Sequence, residues 1–486
     1  MSSSSKSSMK IPQLMKRAPE RYHIEDYAKI TLQQFQQLLP KTVPTVISED
    51  IAYYFNYLRT NRNKKNLNDW EGATGCTDSP NSWKVEGYRP IFSFLYYDRI
   101  TEGLFLPLLL EKIESTFSSQ TKKMSIEEFN KLCRLSIVGF KPKIDSIDLK
   151  IIQTLSKQPS LVTQELTDAI AHSYATVYNH LQKLKAKMGL RVTTRVNWVE
   201  LGVQRCFLIS DNEEIFKEFS EFKIFQDGQA SFLWGETFYL RYYFLKEEAR
   251  QKIIQQYNKV KQKSKARIKY YELTAAPLSG YNFDLYNLDN QRWEFDFATT
   301  FIKPETIVKK RSGTKERELF TDIYPPDSPY ELSEMEINII NGLVGSYTLS
   351  QKEIASQLGI HAPNLSIIKT KLLNDRIISP QLMIRTFLPL NCVLWCSAKD
   401  QEIIDTLIYL MQKIPYSSIS PVESLEDPKI LQLICFLVLD DILYSSLVTF
   451  LIELHKDNRL EDFRMGLIID QYFSMANAEN ILHKEI

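Results

Sequence analysis

Ser173, Tyr174, Thr176, Tyr178, Asn179 and His180 crowd into one short polar run, and Lys183, Lys185 and Lys187 follow at alternate positions. These residue types suit nucleic-acid recognition. An Asn amide can pair bidentately with adenine, Thr or Tyr can touch a phosphate or a thymine methyl, and lysines neutralise phosphates. Val177, Leu181 and Leu184 interrupt the run at helical spacing. It therefore reads as an amphipathic helix, with Ser173 as its N-cap candidate. A second run, with His361, Asn364, Ser366, Lys369 and Lys371, offers the same chemistry with fewer cations.

The elements that must position these helices lie just upstream. A first helix starts near Asp145, which can cap it, and carries Ile147, Ile151, Ile152 and Leu155 on one face. A second, "TQELTDAIA", has Thr163 as its expected N-cap and Glu165 in its first turn. A short turn leads to the polar helix, which is helix-turn-helix arithmetic. The stretch "LRVTTRVNWV" then alternates and fits a wing hairpin or the strand leading out of it. Arg191 and Arg195 stand where a wing would meet a phosphate backbone.

The whole unit recurs without a gap. Ile147 to Leu184 lies over Met335 to Leu372, matching Leu149 with Ile337, Ile151 with Ile339, Ile152 with Ile340 and Leu155 with Leu343. Leu166 meets Ile354, Ile170 meets Leu358, Val177 meets Leu365 and Leu184 meets Leu372. Past each unit the same order of elements is expected, βαββαβ. In the first half it runs through "QRCFLIS", "NEEIFKEFSEF", a short strand near Ile224, one strand "SFLWGETFYLRYYFL", "EEARQKIIQQYNKV" and "ARIKYYEL". In the second it runs from "NCVLWCSA" to "FRMGLIID".

The expected fold is therefore α+β: two winged helix-turn-helix domains, each followed by a βαββαβ ferredoxin-like domain, with an N-terminal mainly helical extension. The expected boundaries are a disordered tail at 1–20, the helical domain at 21–140, winged helix-turn-helix units at 141–197 and 331–388, and ferredoxin-like domains at 198–275 and 389–472. An aromatic and basic appendix with a linker fills 276–330, and a C-terminal tail fills 473–486.

Composition narrows the function. With 60 basic against 59 acidic residues the net charge is +1, so any attraction to nucleic acid must come from local patches. A row of Lys259, Lys261, Lys263, Lys265, Arg267 and Lys269 would share one face if it lay on a strand. The basic loop Lys309 to Arg317 is a second patch. The six cysteines are scattered without metal-ligand spacing, and Cys206, Cys392, Cys396 and Cys435 sit in apolar runs as small hydrophobes. His172 and His180 lack an acidic or cysteine partner at ligand spacing, so no metal is expected. No phosphate-binding glycine loop and no nucleophile motif is present, so neither an enzyme nor a cofactor is expected. No segment is long and apolar enough for a signal peptide or a membrane span, and the expected location is cytoplasmic.

Helix-turn-helix followed by βαββαβ resembles the Lrp/AsnC (leucine-responsive and asparagine regulator) family of prokaryotic transcription regulators. "DSIDLKIIQTL" is similar to that family's first helix, "WVELGVQRCFLI" to its linker strand with Leu201-Gly202, and "LWGETFYLRYYF" to its Gly-containing strand turn. The resemblance covers roughly 145–275 and 332–472. It implies sequence-specific binding to double-stranded DNA, and an amino-acid-like small-molecule effector near Gly235 and Tyr239. It also implies that one chain with two heads acts as a pseudo-dimer, with a homo-oligomer open to it. Two residues depart from the pattern. Ala171 stands where the family has a turn glycine, kept at Gly359, and Phe238 replaces an acidic residue of the effector turn. The alternative reading is a scaffold or adaptor that uses its winged helices for protein contacts without DNA.

Overall fold

The computed structural model describes residues 43–45, 47–49, 51–52, 101, 105–117, 124–125, 128–129, 132–133, 136, 143–222, 224–232, 237–274, 277–295, 297, 329–345, 351–384, 388, 390–427 and 430–473. The chain divides into two compact units. The first comprises Met1–Pro142 with Ala186–Gly189. It includes helix α1 (Phe105–Phe117), whose first turns are buried all round, with Phe105, Leu106, Leu109 and Leu110, followed by Ile113. The basic loop 309–317 and the tail 1–20 lie outside the described residues.

The second unit begins with α2 (Ser146–Lys157), α3 (Thr163–Ile170) and α4 (Tyr174–Met188) as far as Lys185. Asp145 caps α2 as expected, accepting from the Ile147 and Asp148 amides, while Asp148 returns a bond to the Asp145 amide. The α3 cap differs from expectation. Val162 is the capping residue, its amide bound by Glu165 at 3.0 Å, and Thr163 is the first helical residue. The Glu side of a capping box suffices there, so the Thr hydroxyl is not required.

A second three-helix set follows at an offset of 188 residues: α6 (Glu334–Gly345), α7 (Gln351–Gln357) and α8 (Ala362–Asn374). Positions matched by sequence are buried in both sets, among them Ile151 and Ile339, Ile152 and Ile340, Leu166 and Ile354, Val177 and Leu365, and Leu184 and Leu372. The turn after the second helix also has one geometry twice. Ala171 adopts φ 55 and Gly359 φ 65, and the residue after each donates back to the helix, His172 to Thr167 O and Ile360 to Ala355 O.

Eight strands form a ring. The first half supplies β2 (Gln204–Ser210), β3 (Ile224–Phe232), β4 (Thr237–Leu245) and β5 (Ile268–Leu273), with a 3-10 helix at Glu213–Phe219 and α5 (Glu247–Lys263) as crossovers. The second supplies β10 (Leu390–Ala398), β11 (Tyr416–Ser424), β12 (Leu431–Leu439) and β13 (Asp462–Phe473), with α9 (Gln401–Met411) and α10 (Asp441–Lys456). The stretch expected as one strand from Ser231 is two: its start belongs to β3 and its end to β4, which pair as neighbours. The two four-stranded sheets meet at both edges, β5 against β11 and β13 against β3, and β11 also pairs with β12.

Two apolar faces drive that closure. Phe207, Tyr242, Phe244, Tyr271 and Leu273 from the first sheet share one core with Val393, Trp395, Val422 and Ile434 from the second. On the opposite face of the first sheet, Cys206, Leu208, Tyr243 and Tyr270 pack under α5 through Ile253, Tyr257 and Val260. All five described cysteines are buried, in line with their apolar surroundings. Cys76 lies outside the described residues.

Outside the ring, β6 (Leu278–Tyr281) adds to β11, β7 (Tyr286–Asn287) pairs with β8 (Arg292–Trp293), and β1 (Arg191–Val196) pairs antiparallel with β9 (Ile378–Met383). Thr193 faces Gln381, the residue 188 positions on, so each strand meets its own counterpart across a local two-fold. The turn into β2 needs glycine. Gly202 has φ +67, and a Cβ there would sit 2.9 Å from Pro329 Cβ.

Ala171 tests the turn geometry. A left-handed conformation costs a non-glycine residue about 1–2 kcal/mol, and glycine gives part of that back as unfolded-state freedom. Ala171→Gly should therefore raise stability by about 0.5–1 kcal/mol. Gly359→Ala should lower it by a similar amount, since open space around Gly359 leaves only the backbone strain. Urea unfolding midpoints at unchanged slope check both.

Candidate nucleic-acid interface

Helix α4 has two distinct faces. Val177, Leu181 and Leu184 are buried, as the spacing predicts. Ser173 caps the helix, accepting from the Thr176 amide at 3.3 Å, and its hydroxyl also meets the Thr176 hydroxyl at 2.8 Å. Tyr174 and Tyr178 are 51% and 46% exposed and stack one turn apart, with ring centroids 6.2 Å apart and an interplanar angle of 13°. Asn179 and Lys185 are exposed on the same helix. This surface offers an amide fork, two aromatic rings and a cation, without the side chains having to leave other partners. The side chain of Lys187 lies outside the described residues.

His180 and Lys183, expected at the interface, turn back onto the helix start instead. His180 Nδ1 lies 2.7 Å from Asp148 Oδ1 and 3.6 Å from Asp145 Oδ1. Lys183 binds Asp145 at 3.0 Å and also Asp148. Asp148 is fully buried, so it needs the Lys183 ammonium and the His180 ring as partners. The expectation that His180 has no acidic neighbour is thereby corrected: ligand atoms of Asp145, Asp148 and His180 lie within 4.8 Å of one another. The Lys183 ammonium already supplies positive charge there. Burial would lower the Lys183 pKa, but hydrogen bonds to Asp148 and Asp145 raise it. Burial would raise the Asp145 carboxyl, and its bonds to the Asp148 amide and to Lys183 lower it.

The second set repeats the device. Ser333 and Glu336 form the capping box, and Lys371, at the position matching Lys183, binds Glu336 at 2.9 Å. The Tyr330 hydroxyl donates to the same carboxylate at 3.1 Å, and Lys371 lies over the Tyr330 ring at 5.4 Å. Burial alone would raise the Glu336 pKa. The bonds from Lys371, Ser333 and Tyr330 override it and hold the group down to about 2. Lys371 is therefore tied up as Lys183 is. Lys369 is half-buried, its pKa lowered by burial. His361 is the helix N-cap residue and is exposed, as are Asn364 and Ser366, beside Ile367 at 68% exposure.

The wing residues also move. The strand 191–196 is not half of a hairpin wing, because its partner is β9. Arg191 is half-buried at its start. Arg195 reaches inward, donating from Nη2 to the Pro277 carbonyl at 2.7 Å. The row from Lys259 to Lys269 does not share a face. Lys259, Lys261 and Lys263 are on α5, Lys261 binds Glu426, Arg267 binds Asp211 at 2.9 Å, and Lys269 lies over the Trp395 ring at 4.5 Å. Tyr239 packs at the margin of the core under α5, and Gly235 lies outside the described residues.

One anchoring residue carried no sequence signal. Gln291, at φ 50 in the turn between the short strands Tyr286–Asn287 and Arg292–Trp293, clamps the backbone of Ile144 through both its amide oxygen and nitrogen, at 2.8 and 2.9 Å. Gln153 of α2 donates to Phe283 O beside it. The appendix thus fixes where the first helix set starts.

Residues 144–187 match the winged helix-turn-helix DNA-binding family. No curated protein matches the chain. Among solved structures, the siroheme decarboxylase NirDL aligns with a TM-score of 0.41 at 11% identity, covering 70% of this chain and 98% of that one. The transcriptional regulator NMB0573 from Neisseria meningitidis, in complex with L-Met, aligns with a TM-score of 0.20 at 21% identity, covering 26% of this chain and 89% of that one. PH0061 aligns with a TM-score of 0.19 at 16% identity, covering 27% and 94%. Among the described residues, no helix is long and apolar enough to cross a membrane.

Two outcomes follow from the ion pairs. Lys183→Met should cost about 1–3 kcal/mol, because it strips a charged hydrogen bond from a buried carboxylate. Asn179→Ala and Tyr178→Ala should stay within about 0.5 kcal/mol of the parent. Thermal or denaturant unfolding separates the two classes. Glu336→Gln should lose on the order of 1–2 kcal/mol at neutral pH. Because the folded pKa of Glu336 is depressed, its contribution is present above its ordinary 4.5 and fades as pH falls toward about 2. Parent and variant should therefore converge over that acid window, as read by unfolding midpoints against pH.

Proposed function

We propose that the chain is a sequence-specific DNA-binding transcription regulator of the Lrp/AsnC type, with two winged-helix heads in one chain. The observation that carries this is the face of α4, where Tyr174, Tyr178 and Asn179 stand exposed on the third helix of the segment that matches the DNA-binding family. In such a motif the third helix enters the major groove. Asn179 would read an adenine edge, the tyrosines would meet methyl groups or phosphates, and Lys185 would neutralise a phosphate. The Ser173-capped helix start would approach the backbone.

The two-head reading is supported by the matched burial pattern, the repeated turn geometry and the self-facing pair Thr193 and Gln381. It makes the chain a pseudo-dimer whose heads are spaced by the strand ring. The role is binding rather than catalysis. For the second head a protein contact is favoured over DNA, because Ile367 stands exposed on its third helix at the position that matches Asn179.

Anisotropy titration of the full chain against duplexes selected from a random pool tests the reading. Affinity should fall steeply with salt, and Asn179→Ala should cost about 1–3 kcal/mol at the preferred site. Lys185→Ala should weaken all duplexes alike and reduce the salt slope by about 1. Absence of duplex binding at low salt would sink the proposal.

A further inference from the structure

The inside of the strand ring is largely apolar, with Lys269 over Trp395 towards one end and an arginine pair elsewhere. Arg205, on the same face of β2 as Phe207, is 8% exposed. Arg195 reaches the same place from β1, close enough for its guanidinium to feel the charge of Arg205. Tyr242, across the β2–β4 ladder from Phe207, adjoins Arg205, and Tyr416 at the start of β11 adjoins Arg195. Among the described residues, the partners of the two guanidiniums are these phenols and the Pro277 carbonyl, with no carboxylate. Elsewhere on these sheets the chain does supply carboxylates to arginines: Glu272 and Glu247 hold Arg250, and Asp211 holds Arg267.

Two like charges in a buried place, without a counter-ion, are costly. The fold itself does not require them. The matching residues in the second half are Met383 for Arg195, Val393 for Arg205 and, one rung across the ladder, Ile434 for Tyr242. Val393 and Ile434 are buried in the same core. Apolar side chains therefore build the equivalent corner, and the arginines answer to something other than packing. Burial, then the like charge of Arg205, lowers the Arg195 pKa, and burial pushes the Tyr242 and Tyr416 phenols up, so both stay neutral donors.

We propose that Arg195 and Arg205, with the hydroxyls of Tyr242 and Tyr416, bind the carboxylate or phosphate of a small organic anion. Guanidinium forks suit planar or tetrahedral oxyanions, and an incoming anion replaces the Pro277 carbonyl as the stronger acceptor for Arg195. Arg195 is only partly buried, which leaves an approach from solvent. The site also has a lever. Arg195 belongs to β1, the strand that follows α4 and pairs with β9, whereas Arg205 belongs to the ring. A bound anion therefore ties the helix sets to the sheets. The inference stands apart from the DNA reading and is tested without DNA.

The full chain is titrated by calorimetry with inorganic phosphate and, separately, with succinate, against sodium chloride at matched ionic strength. Saturable binding at one site, with a rise in Tm of about 2 °C or more, is the expected result for at least one of the two. The stronger responder tells phosphate from carboxylate. Arg195→Met with Arg205→Val copies the second half's own residues. It should weaken binding roughly tenfold or more while unfolding no earlier than the parent in chloride. If that variant fails to fold, Tyr416→Phe removes one hydroxyl alone and should weaken binding several-fold. No saturable binding of either probe by the parent overturns the proposal. So does binding that the arginine variant and Tyr416→Phe leave unchanged.

Discussion

The structure depends on one requirement: two four-stranded sheets each carry an apolar face that water must not reach. Phe207, Tyr242, Phe244 and Tyr271 make one face, and Val393, Trp395, Val422 and Ile434 make the other. Each sheet is too narrow to cover itself, and the helices already occupy its other side. The two sheets therefore cover each other, and pairing at both edges leaves the eight-strand ring with no open edge. The same relation brings β1 to β9 with Thr193 opposite Gln381. The spacing of the helix sets is thus a consequence of sheet closure.

Electrostatics of the helix sets follow a second rule, repeated with different residues. Each set buries a carboxylate in the first turn of its first helix and satisfies it with a lysine from its third, Asp148 with Lys183 and Glu336 with Lys371. A buried carboxylate without such a partner would be strongly destabilising. The lysine therefore pins the third helix to the first and fixes which face of that helix remains for solvent. In the first set the remaining face holds the tyrosines and Asn179. Lys183, in the middle of that helix, is thus spent on orienting it.

Much of this was legible in the residues. Apolar spacing located the helices and most strands, because periodic burial writes itself locally. The left-handed turn at Ala171 could be foreseen from Gly359 in the other copy. Side-chain direction was less legible. His180, Lys183, Lys371 and Arg195 all look like solvent-facing polar residues, and each finds a partner that lies far off in sequence. Helical periodicity says which face a residue occupies but not whether a buried carboxylate waits beside it. The strand from Ser231 was misjudged for a related reason. A hairpin between two β-rich, aromatic segments keeps one continuous apolar character, so periodicity alone does not locate its turn. Gln291 gave no signal at all, since any surface loop can carry a glutamine.

The unequal pairs across the local two-fold carry the last step. His180 answers to Ile368, Leu181 to Lys369, Arg195 to Met383 and Arg205 to Val393. In a symmetric pair of separate identical chains a charge placed at an interface appears twice, and its mate must tolerate it. Joining both halves in one chain removes that coupling. One half can keep an apolar corner that stabilises the ring while the other takes on buried arginines at a cost the shared core absorbs. Likewise one third helix can present tyrosines and an amide while the other exposes Ile367. The β1–β9 pairing and the ring seams keep the halves in register whatever the individual faces become. Fusion thus separates the residues that hold the two-fold from those that use it, and the second group is free to differ.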